Sequence, residues 1–173
     1  YLIGSIPFGI LLARAQRIDI QKQGSGNIGA TNVARVLGKK AGLLTLLGDV
    51  LKGLLVVFGA SLLYEKPIVI ALTGLMVFLG HLYSIFLKFK GGKGVATSLG
   101  LFLYIMPWAT LCAAGVFSAC LWISGYVSIG SIMAAISLPL LSIYFKLPPP
   151  YIYLAVIVGL FTLQKHYDNI LRL

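Results

Sequence analysis

The sequence predicts an all-α integral membrane protein of about seven transmembrane helices, some of them short, with polar motif loops on the cytoplasmic face. Three observations carry this. Of 173 residues, 59% are hydrophobic and 10% charged, against about a quarter charged in an ordinary soluble domain. Between Lys93 and Lys146 lie 52 residues without Lys, Arg, Asp or Glu, enough for at least two crossings at about twenty residues each. The net charge of +10, from fourteen basic and four acidic residues, is gathered between apolar segments, where it can serve anionic lipid or an anionic substrate. So apolar a chain has no room for the soluble basic face that nucleic acid needs, and no nucleic-acid partner is expected. The length accommodates one polytopic domain over residues 1–173. Tyr1 opens it without a Met or a basic signal region, so both ends are expected to continue in the natural chain.

Residues 1–13 are apolar but short of a full span and read as part of a first helix. Residues 14–40 hold Arg14, Arg17, Lys22, Arg35, Lys39 and Lys40 against Asp19 alone, which assigns this loop to the cytoplasm. A second span covers 41–64 and a third 67–87, followed by the basic loop of Lys88, Lys90 and Lys93. In the uncharged run, Pro107 beside Trp108 and Gly125 beside Tyr126 are turn signals at a membrane surface. They cut the run into helices over 94–106, 108–123 and 126–145; the alternative is one tilted helix over 94–123 kinked at Pro107. A last span covers 151–163, after three prolines. With three crossings in the long run, eleven of the fourteen basic residues share one face. Asp49 and Lys52, three apart in the second span, neutralise each other. Cys112 and Cys120, among apolar neighbours, read as lipid- or helix-facing residues.

Three polar segments can carry chemistry. The first, QGSGNIGATNVARVLGKK, combines Gly24, Gly26 and Gly29 with Ser25, Asn27, Thr31, Asn32 and Arg35. Glycines let backbone N–H groups turn toward an anion, and a helix starting near Ala30 would add its N-terminus. Arg35 offers a fork for phosphate. The second, GHLYSIFLKFKGGKGVATS, is not a P-loop, since Leu87 stands where that motif needs Gly and Gly94 where it needs Ser or Thr. Gly91 and Gly92 with Lys93 read as a second N–H nest with a cation, and His81 is a membrane histidine that needs a partner or a function. The third places His166, Asn169 and Arg172 at spacings of three on the last helix. Ser128 and Ser131, just after Gly125, enter the membrane from the same face.

Taken in this order, SGNIGATNVAR, GH with FKGGKGVAT, and HxxNxxRL closely resemble the bacterial acyl-phosphate:glycerol-3-phosphate acyltransferase family over nearly the whole chain. The resemblance implies a seven-helix inner-membrane enzyme that moves a fatty acyl group from a long-chain acyl phosphate to position 1 of glycerol 3-phosphate, giving lysophosphatidic acid. No cofactor is implied: neither acyl-CoA, acyl carrier protein nor metal. Carried residue by residue, it assigns Ser25, Asn27 and Arg35 to the first motif. His81, Gly91, Gly92 and Lys93 form the second, associated with glycerol 3-phosphate, and His166 and Asn169 the third. The family's tail runs on beyond RL through a Gly and a Glu absent here, and Tyr167 replaces a commonly basic residue. A monomer or weak oligomer in the bilayer is expected.

An acyl phosphate is a mixed anhydride whose phosphate departs without a proton, so no covalent protein nucleophile is required, and Ser25 as an acylated nucleophile is the minor alternative. Two anions must still meet, and at 4 Å two unit charges repel by about 4 kcal/mol at an effective dielectric near 20. Arg35 and Lys93 are the expected clamp. For the proton of the attacking hydroxyl, His166 is the first choice as base, with Asn169 orienting the hydroxyl and His81 second; the rival acceptor is the substrate's own phosphate. An organic-phosphate transporter or a non-catalytic subunit binding anionic lipid would also account for basic loops. Transporter sites lie at the bilayer midplane, whereas these motifs cluster at one surface.

Overall fold

The computed structural model describes residues 1–171. Among these, helices account for every regular element. The first apolar segment is not one helix but two, α1 (Leu2–Ser5) and α2 (Phe8–Ala15), parted at Ile6 and Pro7. Proline withholds an N–H and forces the break. The Ile6 carbonyl left exposed by it accepts a hydrogen bond from Lys52 Nζ at 2.9 Å. After the glycine-rich loop, α3 (Ala30–Leu37) ends at Gly38, whose φ of +91° turns the chain directly into α4 (Lys39–Leu63). α5 (Pro67–Leu82) starts on a proline at its first position, which the fixed φ favours. A 3-10 turn (Ile85–Leu87) extends it before the loop to α6 (Val95–Ile105).

The long uncharged run resolves into the three expected helices: α6, α7 (Pro107–Ser124) and α8 (Val127–Tyr144). Met106 is not helical, at φ −150° and ψ 65°, and Pro107 opens α7, so the single kinked helix is not formed. α9 (Pro149–Lys165) follows, and α10 (Tyr167–Ile170) closes the described chain. Among the described residues, four segments are long and apolar enough to cross a membrane: α4, Pro67–Leu87, α7 and α8. α6 is an apolar helix of 11 residues, roughly 16 Å at 1.5 Å per residue. The surface of these helices carries large apolar side chains in the open, Trp122 at 88% exposure and Leu63 at 77% among them. That surface suits lipid and would be a liability in water.

Helices approach closely where glycine faces backbone. A Cβ on Gly53 would strike the Thr97 carbonyl, and one on Gly100 would strike the Val50 carbonyl, so α4 and α6 cross nearly backbone to backbone. Small residues at such crossings are the common packing device in lipid. A core of Val77, Phe78, Leu82, Leu101, Phe102 and Leu154 then fills the space between α5, α6 and α9.

Candidate active site

The glycine-rich loop is held from inside by Asn32. This side chain is 2% exposed; its amide donates to the Gln23 carbonyl at 3.0 Å and the Asn27 carbonyl at 2.9 Å. Its Oδ1 accepts from the Ser25 N–H at 2.9 Å. Expected as a substrate-binding residue, Asn32 lines the cavity described below, while its amide donors and its Oδ1 are engaged by the loop backbone. Gly24 and Gly26 adopt φ of +58° and +71°, conformations that favour glycine. On Gly24 a Cβ would also meet Asn32 Oδ1. The two are turn formers and lie off the cavity wall described below. Asn27 Oδ1 accepts from the Gly29 N–H at 3.0 Å, fixing the residue that caps α3.

A second correction falls at Gly91 and Gly92. Their N–H groups do not form a nest for an anion but donate to the Leu82 and His81 carbonyls, both at 3.1 Å. This pins the loop to the end of α5. The donors available at this corner belong instead to the first turn of α6, entered through Gly94 at φ +82°.

The third motif is also not a continuous helix. His166 is the joint between α9 and α10, at φ −101° and ψ 2°. Its Nδ1 lies 2.8 Å from the Thr162 carbonyl. A ring nitrogen against a carbonyl oxygen must carry the hydrogen, so Nε2 is the basic nitrogen. Burial holds this imidazole below the ordinary histidine value; the Thr162 carbonyl opposes that shift and the Lys93 charge adds to it. Asn169, on α10, accepts through Oδ1 a hydrogen bond from Lys93 Nζ, joining the second and third motifs. Arg172 lies outside the described residues.

All three motifs open on one cavity of about 820 Å³. Its polar end carries Ser25, Asn27, Thr31 and Arg35 from the first motif, His81 and Lys93 from the second, and His166 and Asn169 from the third. Ser128 lines it as well, and so does Ser131, whose hydroxyl is turned back onto the Val127 carbonyl at 2.9 Å. The starts of α3 (Gly29, Ala30), α6 (Gly94, Val95) and α8 (Val127, Ser128) all lie in its wall. Three helix N-termini, each with unsatisfied N–H groups and a positive dipole end, therefore face one space. In the sequence, the turn signal at Gly125 and Tyr126 and the serines that follow it mark the start of α8. Phe102, Leu138, Ala155 and Val158 make the deeper wall apolar.

Asp49 reaches the same wall, which sequence reasoning missed by treating it as half of a self-contained ion pair. The pair with Lys52 exists, at 2.7 Å, but Asp49 Oδ1 also stands 3.5 Å from His81 Nδ1. The signal available was the cost of any carboxylate inside a membrane helix.

Polar groups of both charges, helix N-termini and an apolar wall gathered on one cavity of a helical membrane protein fit an enzyme site for an anionic substrate. A family model described as glycerol-3-phosphate acyltransferase matches residues 1–173, and the chain belongs to this family. Among curated relatives, glycerol-3-phosphate acyltransferases of Geotalea daltonii and Geobacter metallireducens are 50% and 51% identical, each aligned over 100% of this chain and 89% of their own. Two crystal structures of PlsY (YgiH), an integral membrane glycerol 3-phosphate acyltransferase, are similar to it at 39% identity. Each alignment covers 99% of this chain and 86% of theirs, with TM-scores of 0.95 for the glycerol 3-phosphate form and 0.92 for the lysophosphatidic acid form. The protein is thus a multi-pass membrane acyltransferase, and the transporter and non-catalytic readings fall away.

Proposed function

We propose that this enzyme transfers its acyl group from a long-chain acyl phosphate, at a site facing the cytoplasm from the bacterial inner membrane, to the 1-hydroxyl of glycerol 3-phosphate. The observation that carries this reading is the pairing of two cationic corners with one apolar wall. Arg35 stands behind the start of α3, Lys93 beside the start of α6, and both face the cavity that Phe102 and Val158 line further in. Two phosphates can be neutralised at the surface while an acyl chain lies in the apolar part.

In this reading the glycerol hydroxyl oxygen bonds to the acyl carbonyl carbon, and the bond from that carbon to the phosphate oxygen breaks. The hydroxyl proton passes to His166 Nε2, the nitrogen left basic by the bond of Nδ1 to Thr162. Asn169, held by Lys93, orients the hydroxyl. Ser25, Asn27 and Thr31 supply neutral donors around the donor's phosphate, and Ser128 supplies another from α8. Holding both substrates in line contributes several kcal/mol beyond neutralisation. No protein acyl intermediate is needed, and the chain works as a monomer or weak oligomer.

The test is phosphate release by the purified protein given acyl phosphate and glycerol 3-phosphate. Turnover with both is expected; release that requires acyl-CoA in place of acyl phosphate would overturn the donor assignment.

A further inference from the structure

Asp49 and Lys52 sit in an apolar helix at 2% and 4% exposure. A buried ion pair returns in attraction little more than it loses in desolvation, and apolar residues of the same volume commonly serve stability as well. The partners of this pair point to a use. Lys52 is held on one side by the Ile6 carbonyl at 2.9 Å and on the other by Asp49 at 2.7 Å. The carboxylate so immobilised stands 3.5 Å from His81 Nδ1, and Thr97 Oγ1 lies 3.1 Å from the same nitrogen. A ring nitrogen beside a carboxylate carries its hydrogen, so Nδ1–H is the favoured tautomer and Nε2 is left on the far side of the ring. That far side packs against Gly92, where an added Cβ would strike Nε2. The backbone of His81 holds the same segment through the N–H of Gly92. Next in the chain comes Lys93, whose ammonium reaches Asn169.

We propose that Asp49 is a positioning residue of the acyl-transfer reaction. Its carboxylate, locked by Lys52, orients the ring of His81 against Gly92 and thereby sets where Lys93 meets the phosphate of glycerol 3-phosphate. Thr97 shares the task by accepting from Nδ1–H. The inference rests on the reading that the second motif holds glycerol 3-phosphate.

Simple removal of the carboxylate would strand the Lys52 charge, so the informative variant is charge-balanced: Asp49→Asn with Lys52→Met. With purified enzyme, this pair of changes is expected to raise KM for glycerol 3-phosphate about tenfold and leave KM for acyl phosphate within about twofold. In a His81→Gln background the same changes should add less than about twofold, because Asp49 acts through that ring. Wild-type KM for glycerol 3-phosphate in the charge-balanced variant would overturn the proposal, and so would full additivity with His81→Gln. If that variant does not fold, Thr97→Val, which conserves shape and removes the acceptor at Nδ1, carries the test. A rise of about threefold in the same KM alone is expected, and an unchanged KM would overturn the proposal. Wild-type kinetics in His81→Gln itself would instead sink the reading of the second motif on which the inference rests.

Discussion

At the scale of single residues, the proton and the phosphates make separable demands. Burial and the Lys93 charge hold His166 below its ordinary value, about 6.5. It is therefore neutral at pH 7 and takes up a proton only as pH falls through its lowered value, and a base is lost in that direction. The single-turnover rate should be flat from pH 7 to 8 and decline only at pH below the ordinary histidine value. His166→Asn should remove that acid limb and slow the chemical step by about a hundredfold. An unchanged chemical step would move the proton to the substrate's phosphate. Arg35 faces the same cavity, and its fork binds phosphate at two points where an ammonium binds at one. Arg35→Lys should therefore lower kcat/KM about tenfold or more, read by phosphate release at saturating and limiting acyl phosphate.

Elements are placed by what their glycines touch. Gly100 meets the Val50 carbonyl across the crossing of α4 and α6, whereas a Cβ on Gly115 of α7 would find nothing within 4 Å. Gly100→Ala should destabilise by about 1–3 kcal/mol through overpacking, while Gly115→Ala should be neutral or stabilising by up to about 1 kcal/mol, since alanine is the better helix former. Thermal unfolding in detergent separates the two. Much at this scale was legible in the sequence. α3 begins at Ala30 as its glycine-rich approach implied, and the turn signals at Pro107 and Gly125 divide α6, α7 and α8. Three features were not legible. The break at Ile6 is compensated by Lys52, 46 residues away. The N–H groups of Gly91 and Gly92 are taken by the end of α5. His166 interrupts a helix that spacing alone continues. Each depends on a partner that local pattern does not contain.

Across the whole molecule, the cavity relates the senses of α6, α7 and α9. Gly94 before α6 and Gly125 after α7 both line it, so the chain leaves the site along one helix and returns along the other. α9 likewise delivers His166 back to the same end. With the native Cys112 and Cys120 replaced by Ala, single cysteines at Lys88 and Lys165 should both be protected from a membrane-impermeant thiol reagent on intact cells. Cysteines at Glu65 and Lys146 should be labelled. Labelling of only one of Lys88 and Lys165 would contradict the paired crossings of α6 and α7.

Composition and the order of charged and uncharged segments were enough to establish a helical membrane protein, because lipid admits only helices or closed barrels and penalises charge. Motif chemistry singled out Arg35, Lys93, His166 and Asn169 as candidates, and the fold brings all four onto one cavity. Tertiary structure alone decided how those groups are held. Asn32 holds its own loop, Lys93 is bound to Asn169, and Asp49, paired with Lys52 as expected, also meets His81. A hydrogen bond is claimed by whichever group the fold brings within reach, and that reach is a property of packed helices rather than of neighbours along the chain.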